Sequence, residues 1–299
     1  MAVSATGIGA KAGGFDIRPD VLSGIQQASA NTGVDFAYLM AQAAKESGFD
    51  PNAKSKASSA SGLYQFVEQT WLSVVRKHGA EYGLGDLAEK IKPGQDGKLH
   101  VAYPALRKRI LDLRRDPAIS AAMAAEHAAD NQQRLEAKLD RPVKPADLYL
   151  AHFLGLNGAV NFLTDMEHDP NQGAASACPK AAAANRSVFY RADGSQRTLK
   201  EIYDRFESRM STEMAAYDEL EGVSAGGGTM LADVQLPRSR SAGTNGDGAI
   251  YGQTNPGGIL SPLMLVTLAS LPTARDRDED GGAQRNSLFS RAIIGNAAA

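Results

Sequence analysis

The chain has 299 residues, enough to bury a sizeable core in one or two domains, and its net charge of −2 gives no electrostatic case for a nucleic-acid or membrane-surface partner. A single cysteine, Cys178, excludes an intramolecular disulfide. No apolar run approaches the roughly 18 residues that a membrane-spanning helix needs.

In chain order, the first residues carry no continuous apolar segment, so no conventional secretory signal peptide is expected, and residues 1–16 read as a flexible N-terminus. Val21, Leu22, Ile25 and Ala28 then fall on one helical face. Asp35 is a candidate N-cap for a second helix bearing Phe36, Leu39, Met40 and Ala43, with Gly48 where that helix should stop. A third helix is expected near Thr70–His78. A long one should open at Asp116-Pro117 and run to Leu139. Further helices are expected from Pro145 to Leu154 and from Gly158 to Asp165. Thr198 and Glu201 have capping-box spacing for a last one, reaching about Glu219. Strand signals are scarce. Asp193-Gly194 could turn one small hairpin with Val188-Phe189-Tyr190.

The composition changes near Glu221. The remaining 78 residues hold 13 of the 30 glycines but only two aromatics, too little bulk to offset the entropy of ordering. Residues 222–299 therefore read as a mostly disordered tail. Within it, 260–271 and 286–294 have helical potential, and the apolar run Ile259–Leu271 is the candidate for docking a protein partner.

The most informative residue is Glu46. It lies seven positions after Leu39, within about 20° of it around a helix axis, and so continues the apolar stripe. A carboxyl on such a stripe is costly to ionise, and the protonated form is the one able to donate to a glycosidic oxygen. Downstream come Gly48-Phe49-Asp50-Pro51-Asn52, a Ser/Lys/Ala segment, Ser61-Gly62-Leu63-Tyr64-Gln65-Phe66, and Thr70-Trp71. This pattern resembles the soluble, goose-lysozyme-like lytic transglycosylases. In that family a Glu-Ser pair ends one helix and a small-residue segment leads to Gly-Leu-Met-Gln. Here Tyr64 holds the methionine position. A later family segment, Ala-Tyr-Asn-Ala-Gly, has its counterpart in Ala151-His152-Phe153-Leu154-Gly155, followed by Asn157-Gly158. There His152 stands for the tyrosine and Phe153 for the asparagine.

The resemblance implies an all-α, lysozyme-like helical domain over residues 17–221, with the disordered extension behind it. It also implies a peptidoglycan lytic transglycosylase that cuts the MurNAc–GlcNAc β-1,4 bond and closes a 1,6-anhydro ring. Glu46 would be the acid and then the base. Ser61, Tyr64 and Gln65 would line one side of the substrate cleft, with Tyr149, His152 and Asn157 opposite. The partner is peptidoglycan and the place of work is the periplasm or cell surface. Local wall opening for a secretion or flagellar apparatus would suit such an enzyme. No cofactor is implied. No metal site is expected, because His78, His100, His127 and His168 lack ligand spacing. Asp50, the nearest second acid, reads as a turn residue. The cluster Arg107-Lys108-Arg109 with Arg114-Arg115 reads as a solvated face. Two other readings stay open: a hydrolytic muramidase of the same fold, and a non-catalytic wall-binding assembly factor.

Overall fold

The computed structural model describes residues 9–56 and 58–220. The expected disordered tail and its docking segment at 260–271 lie outside the described residues. The described chain is helical apart from two short antiparallel hairpins. Strands β1 (Ala10–Ala12) and β2 (Phe15–Ile17) lead into helices α1 (Pro19–Thr32) and α2 (Phe36–Ser47). Helices α3 (Glu68–His78) and α4 (Gly85–Ala88) precede strands β3 (Ile91–Pro93) and β4 (Leu99–Val101). Helices α5 (Pro104–Asp112), α6 (Pro117–Leu139), α7 (Pro145–Leu154) and α8 (Leu156–His168) follow. Three short turns, α9 (Ala174–Ala177), α10 (Pro179–Ala184) and α11 (Arg186–Phe189), lead to α12 (Leu199–Ala215).

The expected stop and start signals act where the side chains place them. Asp35 Oδ1 accepts from Tyr38 N at 2.8 Å, Asp116 Oδ1 accepts from Ile119 N at 2.9 Å, and Thr198 and Glu201 close a reciprocal capping box. Gly48 ends α2 in the left-handed conformation. The Asp193-Gly194 turn forms, with Tyr190 bridged to Gln196, but Val188 and Phe189 belong to the helical turn α11 rather than a strand.

Residues 10–16 correct the expectation of a flexible N-terminus. Gly13 and Gly14 both adopt positive φ, the geometry of a tight two-residue hairpin turn, and Ala12 pairs with Phe15 across it. The hairpin is held because Phe15 packs edge-on against Phe49 at 5.4 Å, and Phe49 in turn against Tyr217 at 5.8 Å. An aromatic anchor supplied from distant sequence outweighs the weak local signal.

Helix α2 is the centre of the domain. It is buried nearly all round, from Phe36 to Glu46, by α1, α6 and α12. Helices α1 and α6 approach closely through small residues. A Cβ on Gly24 would stand 3.1 Å from Ala118 Cα, and Ala121, Ala122, Ala124, Ala125 and Ala128 of α6 are buried. Trp71 on α3 is fully buried, donates from Nε1 to the Ile110 carbonyl at 2.7 Å, and packs edge-on against Phe66. Among the described residues, no helix is long and apolar enough to cross a membrane.

At the far end of α3, His78 lies among carboxylates. Its Nε2 is 3.0 Å from Asp130 and its Nδ1 is 3.2 Å from Glu126 and 3.4 Å from Glu81. Burial pushes the Asp130 carboxyl up, but hydrogen bonds from His78 and Lys77 outweigh it and hold the group down at about 2. A carboxyl held below its unfolded value, about 3.9, contributes stability that is fully present above that value and lost as pH falls toward 2. Burial pushes His78 down, yet Asp130 and Glu126 outweigh it and raise it. Its contribution is therefore complete below about 6.5 and lost as pH rises through the raised folded value. Asp130→Asn is expected to cost about 2 kcal/mol near pH 6, and less toward pH 2 or alkaline pH, as read from urea midpoints against the parent chain.

Candidate active site

Glu46 sits in the last turn of α2, and its side chain is only 2% exposed. Gly48 and Phe49 both adopt positive φ beyond it, which turns the chain sharply back over the helix end. Asp50 is exposed and makes the expected turn: its Oδ1 accepts from Asn52 N at 2.8 Å. The chain then returns as a compact loop, bridged between Lys54 and Ser61 and between Ser61 and Phe66.

Each element of the loop pattern has a visible task. Ser47, beside Glu46, donates from Oγ to the Leu63 carbonyl at 2.7 Å and ties the loop to the helix end. Gly62 has φ +86° and passes so close to the α5–α6 junction that a Cβ would lie 1.8 Å from the Arg114 carbonyl oxygen. Arg114 corrects the reading of a solvated basic face. It is buried, and its guanidinium donates to the carbonyls of Leu111, Ser59 and Phe66 at 2.7–2.9 Å. Burial makes an arginine worthwhile here because its fixed fork satisfies several carbonyls at once. Arg107, by contrast, pairs with Glu68 at the surface.

Several residues expected to line the cleft turn inward. Tyr64 is buried, and its hydroxyl donates to the Leu39 carbonyl at 3.2 Å. Gln65 Nε2 donates to the Gly62 and Ala53 carbonyls at 2.8 and 3.1 Å, within the loop itself. Ser61 is buried, and its Oγ has no hydrogen-bond partner. Tyr149 is also buried, with its hydroxyl unpartnered. Asn157 is exposed on the first turn of α8, and among the described residues no hydrogen bond joins it to Glu46. Phe153, at the family's asparagine position, is 2% exposed and packs between Phe189 and Phe206.

His152 is the residue that the fold brings to the acid. Its Nε2 lies 3.0 Å from Glu46 Oε1, across a sequence separation of 106 residues. Lys45 does not pair with Glu46. Its Nζ bonds Glu213 at 3.2 Å and lies 4.5 Å above the Tyr149 ring. Burial lowers the Lys45 ammonium to about 8, against the opposing pull of Glu213. The phenols of Tyr38 and Tyr149 are pushed up by burial first and by the Glu46 charge second, so the acid is flanked by neutral hydroxyls.

Sequence reasoning missed Tyr38, Gln42 and His127. Tyr38 and Gln42 lie eight and four residues before Glu46, on the same face of α2, so helical spacing contained that signal. Nothing local pointed to His127 of α6. Burial holds its imidazole neutral, at about 4, beneath His152.

Residues 23–91 match the family model of the transglycosylase SLT domain. Over these residues the chain is similar to lytic transglycosylases of the lysozyme-like type. The matched part of the SLT domain contains Glu46, Ser47 and the whole loop to Phe66. His152 enters the site from beyond it. The SLT domain implies peptidoglycan as the substrate and a transglycosylase-type, peptidoglycan-cleaving activity.

Two further groups carry side chains of potential chemical use. His78, Glu81 and Glu126 bring three potential ligand atoms within 4.8 Å of one another, a grouping that the sequence spacing of the histidines did not anticipate. The protein's own hydrogen bonds already engage the group, since Tyr82 donates to Glu126 at 2.6 Å and His78 is shared among the carboxylates. Cys178 is a poor nucleophile, because burial first, and Asp165 second, push its thiol up to about 11.

Proposed function

We propose that this protein cleaves the β-1,4 bond between MurNAc and GlcNAc in peptidoglycan glycan strands and leaves 1,6-anhydro-MurNAc ends, working in the periplasm or cell wall. The observation that carries this reading is the Glu46 carboxyl, buried at the end of α2 with one oxygen held by His152. Glu46 would donate its proton to the glycosidic oxygen as the bond to the MurNAc C1 breaks, releasing GlcNAc with a new hydroxyl. The MurNAc acetamido oxygen would stabilise the cationic centre. The Glu46 carboxylate would then take the proton of the C6 hydroxyl as that oxygen bonds to C1, which closes the ring and restores the acid. One carboxyl thus serves both halves, and Asp50, held in its exposed turn, supplies no second group.

Of the residues expected to contact sugar, we assign His152 to the site directly and Asn157 to the exposed rim. Ser61, Tyr64, Gln65 and Tyr149 act by shaping the loop and the wall behind Glu46. Mass spectrometry of peptidoglycan digested by the purified chain tests the product. Anhydro-muropeptides are expected. Reducing MurNAc ends would replace this reading with a muramidase, and undigested sacculi that retain bound protein would replace it with a wall-binding role.

A further inference from the structure

His152 has a second neighbour. While its Nε2 faces Glu46 Oε1 at 3.0 Å, its Nδ1 lies 3.4 Å from Gln42 Nε2, one turn before Glu46 on α2. With the Gln42 amide nitrogen turned to the ring, Nδ1 is the acceptor and the ring proton belongs on Nε2. In this orientation Gln42 Oε1 is buried without a hydrogen-bond partner, whereas the reversed amide would accept from Nδ1–H and leave Nε2 to accept from the Glu46 carboxyl, so the ring tautomer and the amide orientation are set together. The cavity beneath adds a second constraint. It is lined by Tyr38, Gln42, His127, Asn131, Leu148 and His152. Asn131 Nδ2 lies 3.4 Å from His127 Nε2, so His127 is also held as a neutral acceptor. No imidazolium therefore lies beneath His152. The groups around the imidazole are Glu46, Tyr38 and Gln42 from α2, with His127 and Asn131 from α6.

We propose that Gln42, His152 and Glu46 form one directed hydrogen-bond chain, in which Gln42 fixes the His152 tautomer and His152 Nε2–H holds Glu46 Oε1 as an acceptor. This rests on the reading of Glu46 as the acid. The consequence is that the acid proton resides on Oε2. His152 keeps its own proton throughout. One proton leaves Oε2 for the glycosidic oxygen, and one returns from the C6 hydroxyl. The Nε2–H bond strengthens as Glu46 becomes a carboxylate, because a charged acceptor makes a stronger hydrogen bond than a neutral one. His152 thereby favours the transition state over the bound substrate without touching the reacting atoms. It is a positioning residue, and Gln42 positions it in turn.

The tautomer is directly observable. In the full chain with ¹⁵N-labelled histidine, long-range ¹H–¹⁵N spectra at neutral pH should give His152 a protonated Nε2 and an unprotonated Nδ1, with its signal assigned by loss in His152→Gln. Gln42→Met should mix the two tautomers. A proton on Nδ1, or a Gln42→Met spectrum identical to the parent, overturns the proposal. Kinetics provide the second arm. His152→Leu is expected to lower kcat about 10- to 100-fold with KM within about twofold, as for the loss of one charge-assisted hydrogen bond in the transition state. His152→Gln, whose amide can donate toward Oε1, should recover most of that loss. Equal losses in the Leu and Gln variants would mean packing alone and overturn the proposal. Should His152→Leu fail to fold, the tautomer spectra and the Gln variant still decide. The Glu46 reading fails separately, through an active Glu46→Gln chain. A dead Glu46→Gln beside a fully active His152→Leu removes only the positioning role.

Discussion

Glu46→Gln is expected to abolish peptidoglycan digestion, by about 10³-fold or more, while the chain stays folded. The substitution is nearly isosteric, and its carboxamide oxygen can still accept from His152 Nε2 at the place where Oε1 now lies. Its place beside Tyr38 and Tyr149 is therefore kept. What is lost is the proton. A carboxamide can neither protonate a leaving glycosidic oxygen nor take a proton from a C6 hydroxyl, so both halves of a one-acid mechanism stop together. Removing a buried ionisable group should leave the thermal midpoint unchanged or slightly raised. The check is release of soluble muropeptides from purified sacculi, with circular dichroism melting on the same sample. Residual activity above about one-tenth of the parent would exceed what loss of a general acid permits, and would move the acid role to another residue.

Gly62→Ala should be the most damaging single methyl in the described domain. The φ of +86° is strained for any L side chain, and the new Cβ would sit 1.8 Å from the Arg114 carbonyl oxygen and 2.6 Å from its carbonyl carbon. Those are backbone atoms and cannot rotate away. Either the loop lifts or the junction between α5 and α6 moves, and either motion pulls the Arg114 guanidinium from the Ser59 and Phe66 carbonyls. Backbone strain and the broken clamp together should cost about 4 kcal/mol. For a domain of this size that corresponds to a fall of about 8–16 °C in Tm. Activity should fall with it, because the Ser47–Leu63 bond couples the loop to the turn that carries Glu46. A loss below about 1 kcal/mol in urea unfolding would show that the loop can retreat without cost, and would remove the close-approach explanation for this glycine.

The two variants separate two properties of one short segment. Glu46 supplies chemistry that its neighbours tolerate losing. Gly62 supplies no chemistry, but the loop tied to Ser47 cannot close without it. The Tyr64 hydroxyl belongs with Gly62 in this division, since it is spent on the Leu39 carbonyl inside the core. A pattern that looks like a substrate-gripping loop in sequence is, in its side chains, mainly a device for holding a backbone path.

Much of this protein was determined by the sequence alone, wherever the deciding interaction is local. The caps at Asp35, Asp116 and Thr198, the stop at Gly48 and the apolar stripe ending at Glu46 involve residues within a turn or two of one another. Their geometry follows from helical spacing. The Glu-Ser and Gly-Leu-Tyr-Gln elements were legible for the same reason, as a compact segment at family spacing. Only the tertiary structure decided what reaches that segment from afar. Phe49 and Tyr217 turn a nominally flexible N-terminus into a packed hairpin. Arg114 leaves a basic run to be buried in the loop. His152 crosses 106 residues of chain to meet Glu46, while Asn157, five residues on, stays at the surface. Side-chain periodicity tells which face of an element is buried, but not which face of another element it meets. That depends on the packing of α2, α6 and α7 around a shared core, and it is there that the partner of the candidate acid is chosen.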